Sequence, residues 1–301
     1  MELWIPFTIA AAFFQNLRSA MQKNLQGKLS TAAASYVRFI YALPVAIIYF
    51  CAIVYFSDTG LPEINRAFLG YAFFGGLCQI IFTFFLLWLF SFHNFAVGTT
   101  FSKLEVVMVA IFGLLLLGDR ITPLATVAIA ISAIGLLVLT AGQAKLSWSS
   151  IAGSLWRKPT LIGLSCAAWL GASVVLFRAA SLSLASDSYL MASSFTLLIV
   201  LIIQTLVMGS YMAIREAGEL RKVFVYWKPA SLVGLCGGLT SIGWFTAFTL
   251  QNATYVRALG QIELLFTFAA TVLFFKEKIT RLELIGIVMI SASIGLLLLA
   301  R

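Results

Sequence analysis

Charge is scarce in this chain. Only 10% of its 301 residues are Asp, Glu, Lys or Arg, where a water-soluble domain carries about 25%. A surface so poor in charge cannot be kept in water, which excludes a soluble globular fold. Histidine occurs once, as His93, and cysteine four times. Cys51, Cys78, Cys166 and Cys236 all fall inside apolar runs. They read as small packing residues, and neither as a disulfide framework nor as metal ligands. The lone histidine lies at a connection between apolar runs, so no Cys/His ligand cluster and no Ser/His/Asp set can be assembled around it. A glycine-rich phosphate loop is missing as well. The sequence therefore predicts no enzyme, no catalytic residue, no cofactor and no metal. Long polar stretches are also missing: the only extended connections are residues 142–158 and 214–228.

What the chain has in abundance is apolar sequence. Hydrophobic residues make up 61%, and the mean hydropathy is +1.02. Ten apolar segments stand near 4–22, 31–56, 66–91, 95–117, 123–141, 159–183, 188–213, 229–250, 254–275 and 281–300. Each is about long enough to cross a hydrocarbon core of roughly 30 Å as a helix. Strands of a membrane barrel would be shorter and alternating, and lipid leaves a spanning backbone few other ways to satisfy its own polar groups. The expected fold is an all-α membrane protein with ten transmembrane helices. Pro6, Pro123, Pro159 and Pro229 mark helix starts, where a missing N–H costs nothing. Thr280 and Glu283 form a capping-box pattern, and Pro44 should bend the second span. Gln15, Asn16 and Arg18 interrupt the first segment, and no small-residue cleavage site follows, so it reads as a retained helix.

One pattern occurs twice. Asn94, Glu105, Asp119, Arg120, Ile121 and Thr122 recur at the same spacing as Asn252, Glu263, Glu277, Lys278, Ile279 and Thr280. Each copy is followed by an apolar segment ending in Ile-Gly-Leu-Leu, at 134–137 and 294–297. This predicts a duplication: residues 1–145 as a first five-helix repeat and 146–301 as a second, together one transmembrane domain. Five is an odd number of crossings, so the second copy enters from the opposite face, an inverted repeat. The connections opposite the termini carry twelve Lys and Arg residues, Lys23, Lys145, Arg215 and Lys228 among them. Arg66, Arg120, Arg178 and Arg301 are the four on the side of the termini. Basic short loops stay cytoplasmic, which places both termini outside the cytoplasm, in the periplasm of a bacterial cell. The net charge of +9 is then a signal for topology and contact with the lipid bilayer, with no call for nucleic acid.

The segments Leu104-Glu105-Val106…Leu117-Gly118-Asp119-Arg120-Ile121-Thr122 and Ile262-Glu263-Leu264…Lys276-Glu277-Lys278-Ile279-Thr280 resemble the repeated signature of EamA-type members of the drug/metabolite transporter superfamily. That signature runs Leu-Glu-Pro, an apolar stretch, then Leu-Gly-Glu-Arg-Leu-Thr. Here Val106 and Leu264 replace its proline, Asp119 its first Glu and Lys276 its second Gly. The resemblance covers the whole chain as five plus five spans. Length, opening span and aromatic content look most like the YddG-type aromatic amino-acid exporters. The resemblance implies a multi-pass exporter of the bacterial inner membrane with a central substrate cavity. Such proteins are often drawn with cytoplasmic termini, against the charge count, which we keep.

Polar residues at depth are the candidates for a site. Glu105 and Glu263 lie about ten residues into their spans, ~15 Å deep at about 1.5 Å per residue. Carboxylates there are costly and serve either coupling or helix packing; Arg38, Lys103 and Arg257 are candidate partners. Asp119 and Glu277 read as charges at helix ends. Gln79, Thr83, Trp169, Ser173, Trp244 and Gln261 form the expected substrate-binding set. Gln15, Asn16, Thr240, Ser241 and Thr246 share their depth, and such groups either line a cavity or join helices. Trp169 and Trp244 lie away from the interfacial belts where Trp concentrates, placed either for packing or for stacking on an aromatic substrate. Gly75, Gly76, Gly237 and Gly238 permit close helix approach. No mid-cavity arginine stands out, which argues against a strongly anionic substrate. The reading that follows is a monomeric secondary transporter exporting small amphipathic solutes, amino acids including aromatic ones, by alternating access. The alternatives are an exporter of other metabolites, nucleotide sugars or cationic drugs, or a non-transporting pore or scaffold. A pore would show rings of charge.

Overall fold

In a computed structural model, the described residues are 2–26, 28–57, 59–90, 101–143, 158–273 and 279–300. Their regular elements are all helices, with no strand among the described residues. In chain order the helices are α1 (Trp4–Gln26), α2 (Thr31–Ile40), α3 (Leu43–Phe56), α4 (Arg66–Phe90), α5 (Glu105–Leu117), α6 (Pro123–Gln143) and α7 (Lys158–Ser183). There follow α8 (Tyr189–Arg215), α9 (Ala217–Val225), α10 (Trp227–Leu250), α11 (Ala253–Leu259), α12 (Ile262–Leu273) and α13 (Arg281–Leu299). Among the described residues, seven helical stretches are long and apolar enough to cross a membrane: Thr31–Phe56, Arg66–Leu86, Pro123–Gln143, Lys158–Ser183, Tyr189–Arg215, Trp227–Leu250 and Arg281–Leu299.

Three expected spans are interrupted, and the first, though continuous, is not among the apolar stretches. α1 has the length to cross, at 23 residues, but is not among the seven apolar stretches. Gln15 and Gln22 on α1 make contacts with other helices: Gln15 accepts a hydrogen bond from Trp244, and Gln22 donates to Ala34 O at 2.9 Å. The second span is two helices, broken at Tyr41–Ala42. Pro44 is the cause: it has no N–H to offer the carbonyl of Ile40, and its ring collides with that carbonyl. α2 therefore ends there, and Pro44 stands in the first turn of α3. In the segment 254–275, α11 stops at Leu259 and α12 begins at Ile262. The equivalent place in the first copy is a turn at Lys103–Leu104, just ahead of α5. Both copies thus restart a helix at their glutamate.

Local chemistry fixes several ends. Thr280 accepts from the Glu283 N–H at 3.2 Å while its own N–H donates to Glu283 Oε2 at 2.6 Å, the expected capping box of α13. Thr122 caps α6 in the same way, accepting from the Ala125 N–H at 3.2 Å. Gly118 ends α5 with φ +67°, and the Asp119 N–H returns to Gly113 O at 3.1 Å. That left-handed cap is a place for glycine.

The helices gather into two compact units, Met1–Ile80 with Leu176–Gln251, and Ile81–Val175 with Asn252–Arg301. Each draws chain from both sequence copies. In the first unit α1 lies along α10, and α8 packs on α2, α3 and α10. Phe195 of α8 stacks on Phe68 at 5.5 Å between ring centroids. Gly234 and Gly243 let α10 touch its neighbours: a Cβ on Gly243 would stand 2.8 Å from the Phe7 carbonyl oxygen of α1. In the second unit α6 lies along α13, and α5 meets α11. Gly286 of α13 faces Leu139 of α6 so closely that a Cβ would meet its backbone nitrogen at 2.6 Å.

Candidate functional site

Inside the first unit, polar side chains join in pairs across apolar helices. The Trp244 indole N–H on α10 donates to Gln15 Oε1 on α1 at 2.9 Å, and its ring stacks on Phe248 at 5.7 Å with planes 15° apart. Gln204 on α8 donates from Nε2 to Gln79 Oε1 on α4 at 2.6 Å. In lipid an unmatched amide is expensive, so each such group is drawn to another. Gln204 is a residue that sequence reasoning passed over, although it is the lone glutamine in the apolar run 189–213. Thr246 on α10 stands 3.4 Å from the Ser193 hydroxyl on α8 and joins the two helices.

Two of the arginines on this unit's helices reach into contacts between helices. Arg178 on α7 donates to the carbonyl oxygens of Phe248, at 2.6 Å, and Gln251. These carbonyls close the end of α10, where a cation suits the partial negative charge of a helix terminus. Arg18 is buried on α1, three residues beyond Gln15 and so on the same face. Its Cδ lies 3.4 Å from the place a Gly237 Cβ would occupy. The expectation that no arginine stands at depth missed this residue, which the sequence shows only as a break in an apolar run.

In the second unit one of the two repeated carboxylates is paired with a cation. Glu105, at the start of α5, forms an ion pair with Arg257 of α11, and both are buried. Glu263, half-buried in the first turn of α12, lies within electrostatic reach of the same guanidinium. Each glutamate stands at a helix N-terminus, where exposed backbone N–H groups favour negative charge. Of the three candidate partners, Arg257 is the one joined to Glu105; Lys103 is exposed and Arg38 belongs to the first unit. Gln261 is buried at the break between α11 and α12.

The remaining expected site residues are spread between the units. Gln79 and Trp244 belong to the first unit, and Thr83, Trp169, Ser173 and Gln261 to the second. Thr83 and Trp169 are half-buried. Ser173 is fully buried, and its hydroxyl is turned back onto its own helix, donating to Leu170 O at 2.7 Å. Gly75 accommodates Phe177, whose ring carbons lie 2.9 Å from an added Cβ. Asp119 is half-buried. His93, Asn94, Lys276, Glu277 and Lys278 lie outside the described residues. Among the described residues no group of three or more His, Cys, Asp and Glu could hold a metal ion.

Long apolar helices, with amides and ionic groups matched against one another inside them, define a multi-pass membrane protein. Residues 2–141 match the EamA-like transporter family, a family of membrane transporters. A solved crystal structure is similar over 99% of this chain and 98% of that chain, with a TM-score of 0.70 at 15% identity, a likeness of fold. No curated protein sequence matches the chain.

Proposed function

We propose that the protein is a secondary transporter that exports small amphipathic solutes, amino acids including aromatic ones, across a bacterial inner membrane by alternating access. The observation that carries this reading is the pairing of Trp244 with Gln15 within the first unit, in a chain whose N-terminal half matches a transporter family. A buried indole beside amides and a guanidinium suits a zwitterion with an aromatic ring. The ring would stack near Trp244 and Phe248, the carboxylate would meet Arg18, and Gln79 with Gln204 would complete the polar contacts. Thr83, Trp169, Ser173 and Gln261 stay in the proposed substrate set, and Glu105 and Glu263 in the proposed coupling or packing role.

Ten spans in two inverted copies fit the helix partners. α6 packs along α13, α3 on α8 and α5 on α11, and in each pair the partners hold equivalent places in the two copies. The paired breaks ahead of Glu105 and Glu263 add to this, since interrupted helices in transporters place half-helix termini at binding sites. The basic loops support termini on the periplasmic side.

Efflux from liposomes containing the purified protein tests the function, with Trp, Phe, Thr and a nucleotide sugar as solutes, with and without a pH gradient. Efflux of Trp and Phe above empty liposomes is expected; efflux of none of the four overturns the reading. Impermeant labelling of a cysteine placed at residue 2 in intact cells tests the orientation. Labelling from outside is expected, and its failure on properly inserted protein reverses the topology.

A further inference from the structure

The short helix α9 joins the ends of two spans, α8 and α10, and its Lys222 is paired with its own Glu219 at 2.6 Å. Its acids face the protein. Glu216 accepts from the Ser30 hydroxyl at 2.7 Å, and Glu219 accepts from the Ser30 N–H at 2.7 Å, at the N-terminus of α2. Val223 on that same side is fully buried, and its carbonyl accepts from the Tyr41 hydroxyl at 3.1 Å. On the other side of α9 Arg221, Phe224 and Val225 are exposed, and so is Lys228 in the first turn of α10. Arg215 and Trp227 flank it and are exposed too. Phe224 and Val225, between the spans, and Trp227, the first residue of α10, are 54%, 64% and 56% accessible.

We propose that this surface binds the headgroups of anionic phospholipids, with α9 lying in the membrane interface. Phe224, Val225 and Trp227 would reach the acyl boundary while Arg215, Arg221 and Lys228 meet the phosphates. Two arguments select the lipid as occupant. Exposed cations and exposed large apolar side chains stand side by side where two spans end, the depth at which basic groups meet anionic headgroups and aromatic ones concentrate. The surface is also continuous with two spans: Arg215 ends α8, and Trp227 begins α10. A partner in contact with Trp227 and the outer face of α10 at once meets the bilayer itself, and Trp is enriched at that depth. The acids, engaged on Ser30, leave the outward charge positive, which complements an anionic leaflet.

Native mass spectrometry of the purified full chain, titrated with phosphatidylglycerol and with phosphatidylcholine, tests the surface. The wild type is expected to retain phosphatidylglycerol roughly tenfold better than phosphatidylcholine. The Arg215→Gln/Arg221→Gln/Lys228→Gln variant is expected to lose that preference, and Arg120→Gln, outside α9, to keep it. No preference in the wild type, an undiminished preference in the triple variant, or an equal loss in Arg120→Gln each overturns the proposal. A nitroxide at Val225→Cys, in a Cys51→Ser background, gives a second readout in bilayers containing phosphatidylglycerol. Collisions with oxygen should outweigh those with a water-soluble nickel complex. A label in water, or one immobilised by an acidic protein or a second copy whatever the lipid, rejects the lipid as occupant.

Discussion

Glu105 and Arg257 form a buried ion pair between α5 and α11. Two charges taken out of water face each other there, with helix termini and Glu263 near the guanidinium. Breaking a buried pair by removing one partner costs about 3–5 kcal/mol. Glu105→Gln is therefore expected to lower the thermal unfolding temperature in detergent markedly. Replacing both partners with leucine removes the stranded charge, and the Glu105→Leu/Arg257→Leu protein is expected to recover most of the loss. A double variant no more stable than Glu105→Gln contradicts a packing role resting on this pair.

Trp244→Phe keeps a ring against Phe248 and removes the N–H that Gln15 accepts from. The stability loss should be modest, about 0.5–1.5 kcal/mol. The proposed function adds a sharper expectation: in liposome efflux the KM for tryptophan rises by more than that for threonine. Equal changes for both solutes would make Trp244 a packing residue only.

Gln204→Leu strands the Gln79 carbonyl oxygen that its amide now satisfies. Side-chain hydrogen bonds between membrane helices contribute about 0.6 kcal/mol on average. A small drop in unfolding temperature is expected, and the Gln79→Leu/Gln204→Leu protein should regain it. Additive losses in a double-mutant cycle would show that the two amides do not act together.

Glu219 supplies a pH dependence outside the spans. The Lys222 ammonium at 2.6 Å, and then the Ser30 N–H, hold its carboxyl below the ordinary carboxylate range. A lowered value in the folded state means that the contact is fully present above the unfolded carboxylate pKa. It is lost as pH falls through the lowered value. A spin label at Gly218→Cys, again with Cys51→Ser, should be restrained at neutral pH and gain mobility in strong acid. With Glu219→Gln added, it should be mobile throughout. Mobility that does not change with pH in the unmutated contact would contradict the anchoring.

Much of the helix layout was legible in the sequence, because lipid permits few ways to satisfy a backbone. Thr280 and Glu283 announced their cap for the same kind of reason, since reciprocal bonding needs only those two residue types three apart. The breaks before Glu105 and Glu263 were not legible. The family's proline is absent at Val106 and Leu264, so nothing local forbids a continuous helix, and the interruption appears only once tertiary packing sets the backbone. Arg257 could be named only as one of three candidates, because spacing says which cations exist and folding says which one a carboxylate reaches. Gln204 carried a signal, a lone amide in a long apolar run, whose meaning depended on Gln79 standing opposite. Arg18 was visible as a polar interruption, but its burial was not, because a charge four residues from the edge of a span can equally turn outward to the headgroups.

The contact of Gly286 with Leu139 leaves no room for even a methyl group between α6 and α13. Two rods that touch along their main chains cannot rotate or shift register independently without prising the seam apart. In the alternating-access cycle proposed above, this couple would travel as a single strut, with the pivots elsewhere, at the helix interruptions.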